Sequence, residues 1–241
     1  MGAESTFTYQ NFNIERGIIW NQENAVNRGL QINQALGKYL AASVSWNDGY
    51  YSNRYSWISG SVTLTKGPHV LVYDGMGNLG QTKFQTAATP LLNNGYMHAV
   101  IYTYTKGPWI VSPYFQYGNL PTNMKVGVIK GTSATGGAIN ASYAFKSGFS
   151  LPVRFEYLTS SGSKTDGSVN MLGFGAGSAG TTFTATPTYQ KGGFFTRVDL
   201  AFVNASNTTA GDLFGKLGNN ASQFRAAGEF GFIFGSNITG K

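Results

Sequence analysis

The two-residue period of residues 194–203, with one apolar face and one face that carries two charges at mid-strand, most constrains the fold. One face of an extended strand would carry Phe194, Thr196, Val198, Leu200 and Phe202, and the opposite face Arg197 and Asp199. The preceding run, residues 182–190, also alternates and is joined to it by Lys191–Gly193, which is the pattern of a β-hairpin. A period of two predicts an antiparallel sheet with one apolar and one polar face.

The aromatic residues indicate which face is outside. Three strands that follow tight turns repeat an aromatic side chain after eight residues: Trp109 and Tyr117, Phe149 and Tyr157, Phe194 and Phe202. Eight tilted residues climb roughly 20 Å, close to the ~25 Å apolar band of outer-membrane barrels. We therefore predict membrane-interface aromatics at Trp46, Trp109, Tyr117, Phe149, Tyr157, Phe194 and Phe202.

Composition supports a barrel with an apolar exterior and a wet interior. Charged residues make up 11% of the 241 residues, below the quarter that soluble proteins carry, and there are 33 glycines. The mean hydropathy is only −0.15. No run of 18 apolar residues occurs, which excludes transmembrane helices.

Net charge and cysteine content narrow the function classes. Five lysines of the +7 total lie in predicted turns, and subtracting them leaves +2, so no basic stripe for nucleic acid remains. These are Lys38, Lys66, Lys106, Lys146 and Lys191. The absence of cysteine excludes disulfides and thiolate metal sites. We predict neither a cofactor nor a metal, and no nucleic-acid partner.

Five tight turns alternate with longer polar connections along one domain, residues 1–241. The pattern predicts about twelve strands, at 5–13, 25–36, 39–48, 55–66, 68–78, 95–105, 108–118, 135–146, 149–159, 180–190, 193–204 and 222–234. Tight periplasmic turns and longer extracellular loops are typical of transmembrane antiparallel up-and-down β-barrels, which the first and last strands would close. Pro113, Pro152 and Pro187 fall inside strands and leave the local register open.

The polar face of each strand should line the lumen. We predict pore-lining residues at Asp74, Tyr114, Gln116, Arg154, Glu156, Arg197, Asp199, Arg225 and Glu229. The acids and arginines would either pair across strands and brace the wall, or form an electrostatic constriction. Further uncharged lumen candidates are Ser43, Ser45, Ser112, Asn140, Ser142, Thr184 and Thr186.

Enzymatic chemistry has little support in the sequence. His69 and His98 have no serine or acid at a telling spacing, so a Ser-His lipid hydrolase on a barrel is a minor alternative. Glu15 and Glu23 lie in one outer loop, where solvated surface is favoured over a calcium site. The glycine-rich run at 173–180 lacks the Lys-Ser/Thr of a phosphate-binding loop. We predict that the protein is not an enzyme.

The chain resembles the OmpL-like β-barrel porin family of Gram-negative outer membranes. The resemblance lies in residues 7–29 (FTYQNFNIERGIIWNQENAVNRG), 44–57 (VSWNDGYYSNRYSW), 101–117 (IYTYTKGPWIVSPYFQY), 149–163 (FSLPVRFEYLTSSGS) and 182–203. It implies an outer-membrane location and a pore-like role. Family members usually carry additional strands before the first segment, and natural barrels tend to end on an aromatic residue. This chain departs from the family in both respects, which suggests a shortened or redesigned barrel.

The expected function is a narrow, water-filled channel for passive diffusion of ions and small polar solutes. The alternative is a plugged or structural barrel, natural or engineered, that transports nothing. The expected partners are the lipid bilayer or detergent and the solutes. The protein is expected to be either a monomer or a homotrimer. The sequence opens without the apolar core of a signal peptide, so we expect either that a signal peptide has been removed or that the protein is engineered. The expected location is the bacterial outer membrane.

Overall fold

A computed structural model of the protein describes residues 2–24, 27–80 and 92–234, and the fold is all-β. The strands are β1 (Gly29–Ala35), β2 (Leu40–Asn47), β3 (Trp57–Lys66), β4 (His69–Asn78), β5 (Tyr96–Lys106), β6 (Trp109–Leu120), β7 (Thr132–Ala144), β8 (Phe149–Ser160), β9 (Ala179–Ala185), β10 (Thr188–Lys191), β11 (Phe194–Ser206) and β12 (Ser222–Phe232). Short 3₁₀ helices cover Thr8–Gln10, Ile19–Gln22, Leu92–Asn94 and Met124–Val126. The predicted all-β antiparallel barrel of about twelve strands is confirmed.

The strands form one up-and-down sheet in which sequential neighbours pair antiparallel. β9 and β10 both lie between β8 and β11, so they are two halves of one strand. The predicted strand at 180–190 is therefore interrupted. Among the described strands, β1 pairs with β2 alone and β12 with β11 alone.

None of the three strand prolines shifts the register of its ladder, and two of them lie at gaps in the pairing. Pro187 lies in the gap between β9 and β10, and the register against β11 is the same before and after it. Pro113 lies beside a gap in the β5–β6 ladder, between the pairs Ile101↔Tyr114 and Tyr104↔Val111, which also keep one register. Pro152 continues the β7–β8 ladder, opposite Ser142. A missing N–H thus removes a ladder bond locally.

Tight turns lie at one end of the sheet and long connections at the other. Gly67 and Gly107 each have φ +58°, a left-handed conformation that glycine adopts without strain, and a proline follows each of them. These turns join β3 to β4 and β5 to β6. The alternation of short and long connections is as predicted.

The two faces of the sheet carry opposite chemistry. Large apolar side chains such as Ile139, Phe155, Phe183 and Leu200 are 40–53% exposed on the outward face. Charged side chains are buried on the inward face, where Arg154 is 2% exposed and Glu156 1%. An apolar exterior around a polar interior is the arrangement of a membrane-spanning barrel.

The prediction of a strand at residues 5–13 is wrong. This stretch contains the 3₁₀ helix Thr8–Gln10 and pairs with no strand. Residues 2–24 instead lie against the inward face of the barrel wall, and we call them the lumenal segment. None of the described helices is long and apolar enough to cross a membrane.

Candidate lumenal site

The first half of the lumenal segment is bound by charged side chains of the wall. The Gly2 amide donates to Asp74 Oδ2 on β4 at 3.1 Å. The Glu4 carboxylate forms an ion pair with Arg154 on β8. Arg197 on β11 donates to the carbonyl oxygen of Thr8 at 2.8 Å and to that of Asn11 at 2.7 Å.

Neighbouring strands extend these contacts along the segment. The Thr8 hydroxyl donates to Glu229 Oε1 at 3.1 Å, and Asn13 Nδ2 donates to the Thr186 hydroxyl at 2.6 Å. Glu15 makes two contacts: its amide donates to Asp199 Oδ2 at 2.7 Å, and its carboxylate accepts from Arg225 at 3.2 Å.

The second half of the segment rests on β6 and β8. The amides of Ile18 and Ile19 donate to the two oxygens of Glu156, at 3.2 and 3.4 Å. Gln116 Nε2 donates to the Ile19 carbonyl at 3.4 Å, and the Tyr114 hydroxyl donates to Glu23. All nine residues predicted to line the pore therefore face inward, and each of them contacts the segment.

Two ion pairs connect wall residues to each other. Arg197 and Glu229 lie opposite one another on β11 and β12, with Nε donating to Oε2 at 2.7 Å. Arg154 Nε lies 3.2 Å from Glu156 Oε2 on the same strand. Because buried charges are costly unless paired, these contacts stabilise the wall and position its polar groups for the segment.

Burial perturbs the protonation of two acids of the segment. Loss of hydration raises the pKa of Glu23 to about 8, although the hydrogen bond from Tyr114 opposes the shift. The nearby charge of Glu4 adds to it. Burial also raises the pKa of Glu4, against the attraction of Arg154. Docking of the segment therefore raises the pKa of both carboxyl groups.

The opposite part of the wall, β1–β4, carries short polar side chains. Strand pairing places Asn33, Ser43, Ser61 and Asp74 in one row across four strands, and Gln31, Ser45 and Ser59 in the next. These residues, apart from Asn33, line a cavity of about 240 Å³, together with Gly60. Ser43 and Ser61 are hydrogen-bonded through their hydroxyls at 2.8 Å. This wall leaves space because its side chains are short.

The other predicted residues lie on the expected faces. Ser112, Asn140, Ser142, Thr184 and Thr186 are buried on the inward side. Of the seven predicted interface aromatics, Trp46, Trp109, Phe149, Tyr157 and Phe202 are 47–51% exposed on the outward face, whereas Tyr117 and Phe194 are half-buried. Their contact with the membrane interface stays a prediction.

Each histidine is hydrogen-bonded to a tyrosine on the outward face. His69 Nδ1 lies 2.6 Å from the Tyr102 hydroxyl, and His98 Nδ1 lies 2.7 Å from the Tyr73 hydroxyl. A hydrolase dyad would instead need a serine at this nitrogen or at Nε2. Within the described ranges, no three His, Asp or Glu side chains come together as potential metal ligands.

The sequence missed the residues of the segment that bind the wall. Glu4, Glu15 and Glu23 account for three of the ten acidic residues of the chain. That concentration of acid in a protein with three predicted lumenal arginines was the available signal.

The fold and the inward polar face define a porin-type β-barrel. A family model described as "Putative beta-barrel porin-2, OmpL-like" matches residues 1–234. The chain belongs to this family, as its sequence resemblance implied. No curated protein sequence matches it.

Three solved structures share the fold at low sequence identity. The anion-selective porin of Comamonas acidovorans superposes with a TM-score of 0.54 at 14% identity, over 82% of this chain and 53% of that one. OmpT, an outer membrane protein of Vibrio cholerae, superposes with a TM-score of 0.59 at 11% identity, over 94% of this chain and 73% of that one. Salmonella typhi OmpF, in complex with daunomycin, superposes with a TM-score of 0.55 at 14% identity, over 84% of this chain and 60% of that one. The chain thus spans about half the length of the Comamonas porin.

Proposed function

We propose that this porin-type barrel is an outer-membrane channel that passes ions and small polar solutes by passive diffusion, with no chemical step. The cavity along β1–β4 supports the proposal most directly. Its lining consists of serines, a glutamine, a glycine and Asp74, so a hydrated solute can exchange water for hydroxyl contacts. The lumenal segment contacts Asp74 at the edge of this cavity and the inward faces of β6, β8, β11 and β12, and it makes the passage narrow.

Blocking the cavity tests the route. Ser43→Trp places a large side chain in the passage, whereas Val44→Trp places the same side chain on the outward face, where Val44 is 51% exposed. We expect Ser43→Trp to lower single-channel conductance several-fold in planar bilayers and Val44→Trp to leave it unchanged. Equal conductance of the two variants would contradict this route, and the absence of wild-type conductance would contradict the channel.

A second candidate function is a plugged barrel that does not transport. The contacts of the lumenal segment with all nine predicted pore-lining residues favour it. Liposome swelling with small sugars distinguishes the two: a channel admits them, and a plugged barrel admits them only after the segment is displaced. A monomeric or homotrimeric state stays a prediction, which the mass of the detergent-solubilised protein would decide.

A further inference from the structure

A second cavity lies at the end of the barrel that carries the long connections. Its volume is about 340 Å³, within the range of small-molecule sites. Arg225 of β12 lies on one side, and Arg16 and Trp20 of the lumenal segment lie on another. Phe174 and Phe214, from two long connections, form an aromatic wall with ring centroids 5.5 Å apart.

The charged groups that line the cavity are unbalanced. Two guanidinium groups, of Arg16 and Arg225, line the cavity together with one carboxylate, that of Glu15, which pairs with Arg225. Arg16 forms no ion pair with an acid in the described part of the chain: it donates to the backbone carbonyl oxygens of Ser5 and Thr6 and stacks over the Trp20 ring, 4.3 Å from the centroid. The lining therefore carries one uncompensated positive charge.

The pair between Arg225 and Glu15 is open to competition. It is a single contact of 3.2 Å, and the two side chains are 39% and 41% exposed. A guanidinium group can hold a carboxylate by two parallel hydrogen bonds, which is a stronger arrangement than one long contact. A carboxylate from solution can therefore replace Glu15 or share Arg225 with it.

We propose that this cavity is a binding site for small organic monocarboxylates at the mouth of the channel. The carboxylate contacts Arg225, and the apolar body packs against the wall formed by Leu172, Phe174, Val203 and Phe214. The inference rests on the proposed channel function for its role, which is to concentrate anionic solutes before they enter. Binding itself does not depend on a conducting lumen.

Calorimetric titration of the detergent-solubilised protein with sodium benzoate tests the site, with benzyl alcohol as the uncharged probe of similar shape. We expect saturable benzoate binding and none for benzyl alcohol. Arg225→Gln should weaken benzoate binding by about tenfold or more, because a charge-assisted contact is lost. Lys216→Gln removes an exposed positive charge from the connection that carries Phe214, but Lys216 does not line the cavity, so this variant should leave benzoate binding unchanged.

Glu15→Gln should have the opposite effect on benzoate binding. It tests the proposal even if Arg225→Gln does not fold. Since it removes the competing carboxylate, it should tighten benzoate binding several-fold. The proposal is overturned if benzoate gives no saturable binding, if benzyl alcohol binds equally well, or if Glu15→Gln does not tighten binding. Liposome swelling, measured separately, reports on the channel, so the two proposals can fail independently.

Discussion

At the scale of single residues, the face on which a side chain lies determines what a charge costs there. Leu200 is 40% exposed on the outward face of β11, whereas its neighbour Asp199 is 1% exposed on the inward face and accepts two hydrogen bonds. Of these two adjacent residues, Leu200 thus faces lipid and Asp199 faces the polar interior. A substitution that is tolerated on one face is costly on the other.

Leu200→Arg should therefore destabilise the inserted barrel by about 2–4 kcal/mol, because the guanidinium group would face hydrocarbon near the membrane midplane. The measurement is the shift of the denaturant midpoint in lipid vesicles. Gln31→Arg is the matched control, since Gln31 faces the inward cavity, and it should change the midpoint little. A harmless Leu200→Arg with a costly Gln31→Arg would reverse the assignment of the two faces.

The raised pKa of Glu23 makes docking of the lumenal segment depend on pH. The docked carboxyl group, with a pKa of about 8, binds its proton more tightly than the free group, whose usual value is 4.5. Docking is therefore strongest below about pH 4.5 and weakens, by a few kcal/mol in all, as the pH rises to about 8. Tyr114 and Glu4 are among the titratable groups that shift the pKa of Glu23.

We expect protease cleavage within residues 2–24 of the inserted protein to accelerate between pH 5 and pH 9, after correction for the protease's own pH profile. Glu23→Gln should flatten most of this dependence, because the amide stays neutral throughout. The remaining dependence reports on Glu4. If cleavage of Glu23→Gln rises with pH as steeply as that of the wild type, Glu23 is not the titrating group.

At the scale of elements, the lumenal segment is held by close backbone approach as well as by charges. A Cβ atom added at Gly17 would lie 1.8 Å from Glu156 Oε1, so the segment lies against the wall there only because glycine has no side chain. The Gly17 amide is also used, donating to Glu4 Oε2 at 2.7 Å. This position controls how deeply the segment docks.

Gly17→Ala should weaken docking by about 1–3 kcal/mol, because Glu156 must move and its hydrogen bonds with Ile18 and Ile19 are disturbed. We expect a higher and noisier single-channel conductance. Gly228→Ala is the control, since a Cβ there would meet no atom within 4 Å. If both variants conduct as the wild type does, the segment does not limit the passage.

The strands could be predicted from the sequence and the lumenal segment could not, for one physical reason. A strand such as β11 shows its two environments in its own alternation, because one face meets lipid and the other the lumen. Residues 5–13 also alternate in part, but their partners are Arg197 and Glu229, about 190 and 220 residues away. Local pattern cannot reveal whether a polar group bonds to a neighbouring strand or to a distant wall.

At the scale of the whole molecule, the split of β9 and β10 changes the parity of the sheet. Twelve strands occupy eleven positions, so β1 and β12 run in the same direction. Every pairing between the described strands is antiparallel, whereas a direct β1–β12 pairing would be parallel. Unpaired backbone groups cost several kcal/mol each in hydrocarbon, so both edges need partners in the membrane.

The exterior of the molecule predicts its behaviour in solution. Phe155, Phe183, Val198 and Phe202 are each 46–51% exposed on adjacent strands, and similar side chains continue around the wall. A continuous apolar surface of this kind far exceeds the few hundred Å² that soluble monomers expose. We expect the protein to require detergent, to give a β-type circular dichroism spectrum, and to migrate faster on gels before boiling than after it. Without detergent it should aggregate, because water cannot solvate this surface; a clear, monomeric aqueous solution would instead mean that the apolar face is turned inward.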